Sequence, residues 1–171
     1  MGPISAETEI DLPRERVFAV LADLAERPSF TDHFLSGFHL TRIESAGVGA
    51  GARFRVEAPL RSVWMDTTIV ELEAPHLIVE RGAGGRANRI ASHTVWELTE
   101  RPGSLTAVRL SHWTEPGHLD RGLELLSAGS VWTQRGWREA LRRLRDRLES
   151  EAPDLDRIAV AGGNRYATGI P

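Results

Sequence analysis

Cysteine is absent from the 171 residues, which excludes disulfides and thiolate metal sites. Lysine is absent as well: all 21 basic residues are arginine. That pattern reads as a bias of the whole chain rather than as selection for guanidinium chemistry. No 18 consecutive apolar residues occur, so no membrane-crossing helix is expected. Met1 to Ile10 has neither a basic start nor an apolar run and does not read as a signal peptide, so a soluble cytoplasmic protein is the default expectation. Basic charge is not in excess either. The net charge is -3, which gives no reason to expect a nucleic-acid partner or an anionic membrane. The histidines, His33, His39, His76, His93, His112 and His118, include no i, i+4 pair with an intervening acid, so no metal and no cofactor is expected. A serine-hydrolase elbow, Gly-x-Ser-x-Gly, is missing.

What is present is enough for one domain with a core: 41% of the residues are hydrophobic and 26% charged. A chain of this length buries roughly 70% of the surface that its unfolded form exposes. The stretch from Ser127 to Glu151 organises the rest. Trp137, Leu141, Leu144 and Leu148 stack on one side of a helix, with Arg138, Arg142, Arg145 and Asp146 opposite. Glu139 and Arg143 stand in the favourable i, i+4 order, and Pro153 stops the helix. Acidic residues interrupt the arginine face, so it reads as a solvated surface rather than a membrane-binding one. A helix this long with one apolar stripe needs a large apolar partner.

A sheet supplies it. Ile4 to Leu12 alternates as a first strand, with Ile4, Ala6, Thr8 and Ile10 together. A helix starts with Pro13 in its first turn and Asp11 or Leu12 near the cap, and its apolar face carries Val17, Phe18, Leu21 and Leu24 until Pro28 ends or kinks it. Phe30, Phe34 and Leu35 suggest a second short helix. Strands are then predicted over Phe38–Ser45, Ala52–Glu57, Ser62–Leu72, Leu77–Arg81, Ile90–Thr99 and Leu105–Thr114, with Leu119–Leu126 helical. Gly47-x-Gly-x-Gly51 precedes a strand rather than a helix and so reads as a hairpin turn, not a phosphate loop. The turns between these strands are too short for parallel crossovers, so neighbours run antiparallel. The expected class is α+β: a curved antiparallel sheet of about seven strands, two short helices after strand 1 and a long C-terminal helix. Residues 1–151 form the domain; residues 152–171 read as a loosely packed or disordered tail.

Several strings resemble the START/birch-pollen-allergen-like (SRPBCC) superfamily, whose fold is the helix-grip, and its polyketide cyclase/dehydrase branch in particular. Glu9-Ile-Asp-Leu-Pro-Arg-Glu-Arg-Val-Phe18 resembles that branch's strand-to-helix opening. Ala22-Asp-Leu-Ala-Glu-Arg-Pro28 resembles its first-helix exit, and Gly49-Ala-Gly-Ala-Arg-Phe-Arg-Val56 its second hairpin. Gly136-Trp-Arg-Glu-Ala-Leu141 is similar to the closing helix of the related Hsp90-activator-like branch. The resemblance implies an apolar pocket between sheet and long helix, with lipid, polyketide or aromatic ligands. It leaves function open.

Three functions are therefore weighed. The first is binding of a small hydrophobic molecule, with Phe34, Phe54, Trp64, Thr68, Trp96, Val108, Leu110, Trp137 and Leu141 as lining residues. The second is a polyketide aromatase/cyclase or dehydratase in which His112 and Asp66 carry protons. His112 shares a face with Val108 and Leu110. Asp66 shares one with Trp64, Thr68, Val70 and Leu72, but Val63, Met65 and Ile69 make the opposite face of that strand apolar too. The third is a protein-interaction domain of the Hsp90-activator-like kind. Whether the chain is an enzyme stays open, and so does the choice between monomer and homodimer.

Overall fold

The computed structural model describes residues 3–58, 61–115, 129–150, 159–160 and 163–164. Strand β1 (Ile4–Ile10) leads into α1 (Arg14–Ala22), a 3-10 turn (Leu24–Glu26) and α2 (Pro28–Thr31). Six strands follow: β2 (Leu35–Leu40), β3 (Gly51–Ala58), β4 (Arg61–Glu73), β5 (Leu77–Gly84), β6 (Ile90–Arg101) and β7 (Leu105–Glu115). Helix α3 (Gly129–Glu149) comes next, then the two-residue strands β8 (Ala159–Val160) and β9 (Gly163–Asn164).

The sheet order is β1-β7-β6-β5-β4-β3-β2-β8-β9. Every pairing from β1 to β2 is antiparallel, as short turns require. The chain is thus an α+β helix-grip: seven principal strands form a curved half-barrel with α3 against its concave face. Within the tail, β8 joins the β2 edge through a parallel Leu40–Val160 pair, and β9 pairs with β8. The predicted helix over Leu119–Leu126 lies outside the described residues.

Local chemistry explains where elements differ from the sequence reading. Helix α1 stops at Ala22 because Asp23 turns extended and its carboxylate accepts the Ala25 N–H at 2.9 Å. Pro28 therefore does not end α1; it opens α2, where its missing N–H costs nothing. Pro13 itself occupies the cap position of α1, and no side chain caps the helix by a hydrogen bond. Strand β2 starts at Leu35 and ends at Leu40, earlier at both ends than expected.

The core sits between the sheet and α3. Trp137, Ala140, Leu141 and Leu144 are buried along the helix, and Leu148 packs at its end. Opposite them lie Ile10, Trp96, Leu98, Val108 and Leu110 from the sheet, with Phe30 and Phe34 closing one side. Trp132, partly buried, packs against this core edge-on to Phe34 at 6.0 Å. Gly136 lets α3 approach: a Cβ there would lie 2.8 Å from the Phe34 ring. On the solvent side, Glu139 pairs with Arg143 at 3.0 Å and with Arg142 at 2.5 Å.

Strands β4 and β5 approach each other closely at two glycines. A Cβ on Gly82 would stand 2.1 Å from the Asp66 carbonyl oxygen, and one on Gly84 would stand 2.4 Å from that of Trp64. Only glycine allows strands to bend together this closely. The bend also leaves the sheet's inner surface bare of side chains at these two positions.

Candidate functional site

Register places the inward-facing residues in rows across the sheet. One row runs Ile69, Glu80, Thr94, His112, Ile4. The next, nearer the open end, runs Thr67, Gly82, Ser92, Thr114. Beyond it lie Met65, Gly84 and Ile90.

Glu80 is buried, a carboxylate inside a hydrophobic core, and three neighbours explain how it is tolerated. Arg27 donates to its Oε1 at 2.6 Å, Trp96 Nε1 donates to the same oxygen at 2.8 Å, and the Thr67 hydroxyl donates to Oε2 at 3.1 Å. Arg27 also donates to the Leu21 carbonyl at 3.3 Å, and its guanidinium lies 4.6 Å over the Trp96 ring. Both charged side chains are only 4% exposed. The network ties the segment between α1 and α2 to the centre of the sheet.

Beside Glu80 in the same row, Thr94 Oγ1 and His112 Nδ1 share a hydrogen bond of 2.9 Å. His112 is part-buried, and its ring lies 5.8 Å from that of Trp137. Burial pushes its pKa down from 6.5 to about 4, against an opposing pull from the Glu80 carboxylate. The imidazole is therefore neutral at pH 7, with one donor and one acceptor nitrogen. His33, which packs on Phe34 and donates from Nε2 to the Gly136 carbonyl at 3.0 Å, is also pushed down by burial.

A pH dependence follows. In the unfolded chain His112 titrates near 6.5 and in the fold near 4, so between those values the unfolded chain holds the extra proton. Its contribution is fully present above pH 6.5 and is lost as pH falls towards 4, by up to about 3 kcal/mol. Urea unfolding at pH 7.5, 5.5 and 4.5 should show this decline, and His112→Asn should flatten most of it. A wild-type stability that is level from pH 7.5 to 4.5 would contradict it.

Near the open end the inner face is incompletely covered. Phe38 and Phe54 stack at 5.5 Å with rings 6° apart, yet both remain part-exposed, as do Val56, Val63 and Thr114. Trp132 and Trp137 face this region from α3, and Trp137 Nε1 is buried with no acceptor. Ser92 Oγ and His112 Nε2 have no hydrogen-bond partner among the described residues.

Of the expected lining residues, Phe34, Phe54, Trp96, Val108, Leu110, Trp137 and Leu141 lie inside, together with His112. Asp66, Trp64 and Thr68 do not. Strand β4 turns Met65, Thr67 and Ile69 inward, which puts these three on the convex surface. Asp66 pairs there with Arg53 at 3.7 Å, and Trp64 is 42% exposed between Arg53 and His39. Asp66 and His112 are thus on opposite faces of the sheet, with β5 and β6 between their strands, and cannot exchange a proton. Sequence reasoning missed Glu80 and Arg27. The available signal was the spacing of Ile78 and Glu80, which share a face, and the presence of Arg27 in the first-helix exit.

A second concavity, a shallow groove of about 480 Å³, crosses the outer side of β1, β7 and β6. Within it Arg109 pairs with Glu7 at 2.7 Å. Among the described residues no three His, Asp or Glu side chains converge as a metal site, and no helix is long and apolar enough to cross a membrane.

Residues 1–149 match the sequence model of the family described as polyketide cyclase / dehydrase and lipid transport. The chain belongs to that family. The half-barrel of this polyketide cyclase/dehydrase family member recurs in solved structures at low identity, which shows the fold alone. TTHA0849 from Thermus thermophilus superposes with a TM-score of 0.67 at 18% identity, covering 88% of this chain and 99% of that one. The KanY protein gives 0.65 at 19% identity, covering 87% and 99%. DynU16, a protein of the dynemicin biosynthetic locus, gives 0.59 at 17% identity, covering 87% of this chain and 48% of that one. No curated protein matches the chain by sequence.

Proposed function

We propose that the concave face beneath α3 binds one small hydrophobic, aromatic molecule. The observation that carries this reading is the stacked pair Phe38–Phe54: inward-facing aromatic rings at the open end that the protein leaves part-exposed. Exposed apolar surface inside a fold is costly unless something occupies it. Phe54, Val56 and Val63 from the sheet face Trp132 and Trp137 from the helix, an apolar lining with few polar groups, as small-molecule sites usually have. The family description and the biosynthetic setting of DynU16 support a polyketide or related aromatic ligand.

The catalytic reading survives only in reduced form. Asp66 takes no part, and a neutral His112 inside the site is the remaining proton carrier.

Titration calorimetry with the neutral probe 2-acetylnaphthalene tests the binding reading. Saturable one-to-one binding is expected, and Val56→Trp, which fills the open end, should weaken it at least about tenfold. Equal affinity in a folded Val56→Trp variant would place the probe elsewhere and remove the proposal.

A further inference from the structure

We propose that the site selects an uncharged aromatic ligand bearing a keto or hydroxyl oxygen, held by Ser92 and His112, over its carboxylate counterpart. This rests on the binding reading above and adds the chemistry of the ligand's polar end.

Three hydrogen-bonding atoms lack partners among the described residues: two on neighbouring inward-facing positions of the sheet and one on α3. Ser92 and His112 sit on adjacent strands one row apart, since Ser92 pairs with Thr114 and Thr94 with His112. Neither Ser92 Oγ nor His112 Nε2 is bonded within the described residues. Trp137 Nε1, the third, is buried without an acceptor, and its ring is 5.8 Å from that of His112. Of the three only Trp137 Nε1 is buried outright, and a buried unpaired donor is disfavoured; a ligand oxygen that accepts from it and uses the spare capacity of Ser92 Oγ and His112 Nε2 is favoured in return. Gly82, next to Ser92 in its row, adds no side chain that would cover the hydroxyl.

Charge decides between a neutral oxygen and an ionised one. The buried charged residues among those described are Glu26, Arg27 and Glu80. Arg27 is engaged by Glu80 at 2.6 Å, and Glu26 by Arg147 at 2.5 Å. His112 is uncharged at neutral pH. A ligand carboxylate would therefore be taken out of water with no buried, unengaged cation among the described residues to meet it, and with the Glu80 carboxylate in the neighbouring row. A keto or hydroxyl oxygen carries no such penalty. A hydroxyl on Ser92 both donates and accepts, and a neutral imidazole offers either role according to tautomer.

The test compares three probes of one shape at pH 7.5: 2-acetylnaphthalene, 2-isopropylnaphthalene and 2-naphthoate. In the wild-type protein the naphthoate should bind at least about tenfold more weakly than the ketone. In Ser92→Ala, and more fully in the Ser92→Ala, His112→Phe double variant, the ketone-to-hydrocarbon affinity ratio should fall roughly 5- to 10-fold. Ser92→Ala alone is a mild change, and a fall of about threefold in that ratio is enough if the double variant does not fold. Naphthoate binding as tightly as the ketone, or an unchanged ratio in Ser92→Ala, overturns the inference while leaving the binding site standing. If none of the three probes binds, the binding reading itself fails, and this preference with it.

Discussion

Replacing Glu80 with Ala should destabilise the protein by roughly 3–5 kcal/mol. The carboxylate accepts hydrogen bonds from Arg27, Trp96 and Thr67 at once. Its removal leaves a guanidinium that is 4% exposed with no counter-ion, and an indole N–H in the core with no acceptor. The loss comes mainly from these stranded groups rather than from the attraction between the two charges. A second variant separates the two effects. Arg27→Met with Glu80→Leu removes both charges and should recover the part of the loss due to the stranded guanidinium, leaving the part due to the Trp96 indole N–H, which still lacks its acceptor. Equilibrium unfolding in urea of the two variants and the wild type measures the difference. If Glu80→Ala costs less than about 1 kcal/mol, the pair is open to water and the description of a closed core network is wrong.

Trp137→Ala should cost about 3–5 kcal/mol. Trp137 is the point where α3 locks onto the sheet. Its ring makes edge contacts with Phe34 at 5.1 Å and Trp96 at 5.7 Å, and it is 5% exposed. Truncation opens a space that the backbones of β6 and α3 cannot close, since neighbouring Ala140, Leu141 and Leu144 already fill the stripe. By contrast, Trp64→Ala, on the convex face, should cost less than about 1 kcal/mol apart from its contacts with Gly37, His39 and Arg53. Thermal and urea unfolding of the two variants side by side check the assignment of inside and outside. Equal losses would mean that the helix stripe is not the core.

The architecture was readable because period and turn length are local properties. The spacing of Trp137, Leu141 and Leu144 fixes one helix face, and the alternation of Ile4, Ala6 and Ile10 or of Trp96 and Leu98 fixes one strand face. Strand β4 was not readable in this way, for two reasons. Both of its faces carry apolar residues, so pattern alone cannot say which is buried. The register also shifts between Ile69 and Glu71, which leaves Val70 exposed and turns Leu72 inward although the two share a parity. Parity groups Asp66, Trp64 and Thr68 with Leu72, which does face inward, and so points them to the wrong side. The Arg27–Glu80 pair was hidden for another reason. Its members are 53 residues apart, and a charged residue in a short strand is by default expected to face water. Only the closed fold shows that an acid at the centre of the sheet has three donors waiting for it.

The central claim is that the inner face under α3, and not the outer surface, is where a ligand sits. The five tryptophans divide across it: Trp96, Trp132 and Trp137 pack inside, while Trp64 and Trp113 are only partly covered, Trp113 stacked on His93 at 4.9 Å. Indole N–H resonances recorded during titration with 2-acetylnaphthalene read both sides in one spectrum. The account predicts that the signals of Trp132 and Trp137 shift to saturation while those of Trp64 and Trp113 stay in place. Shifts confined to Trp64 and Trp113 would contradict it.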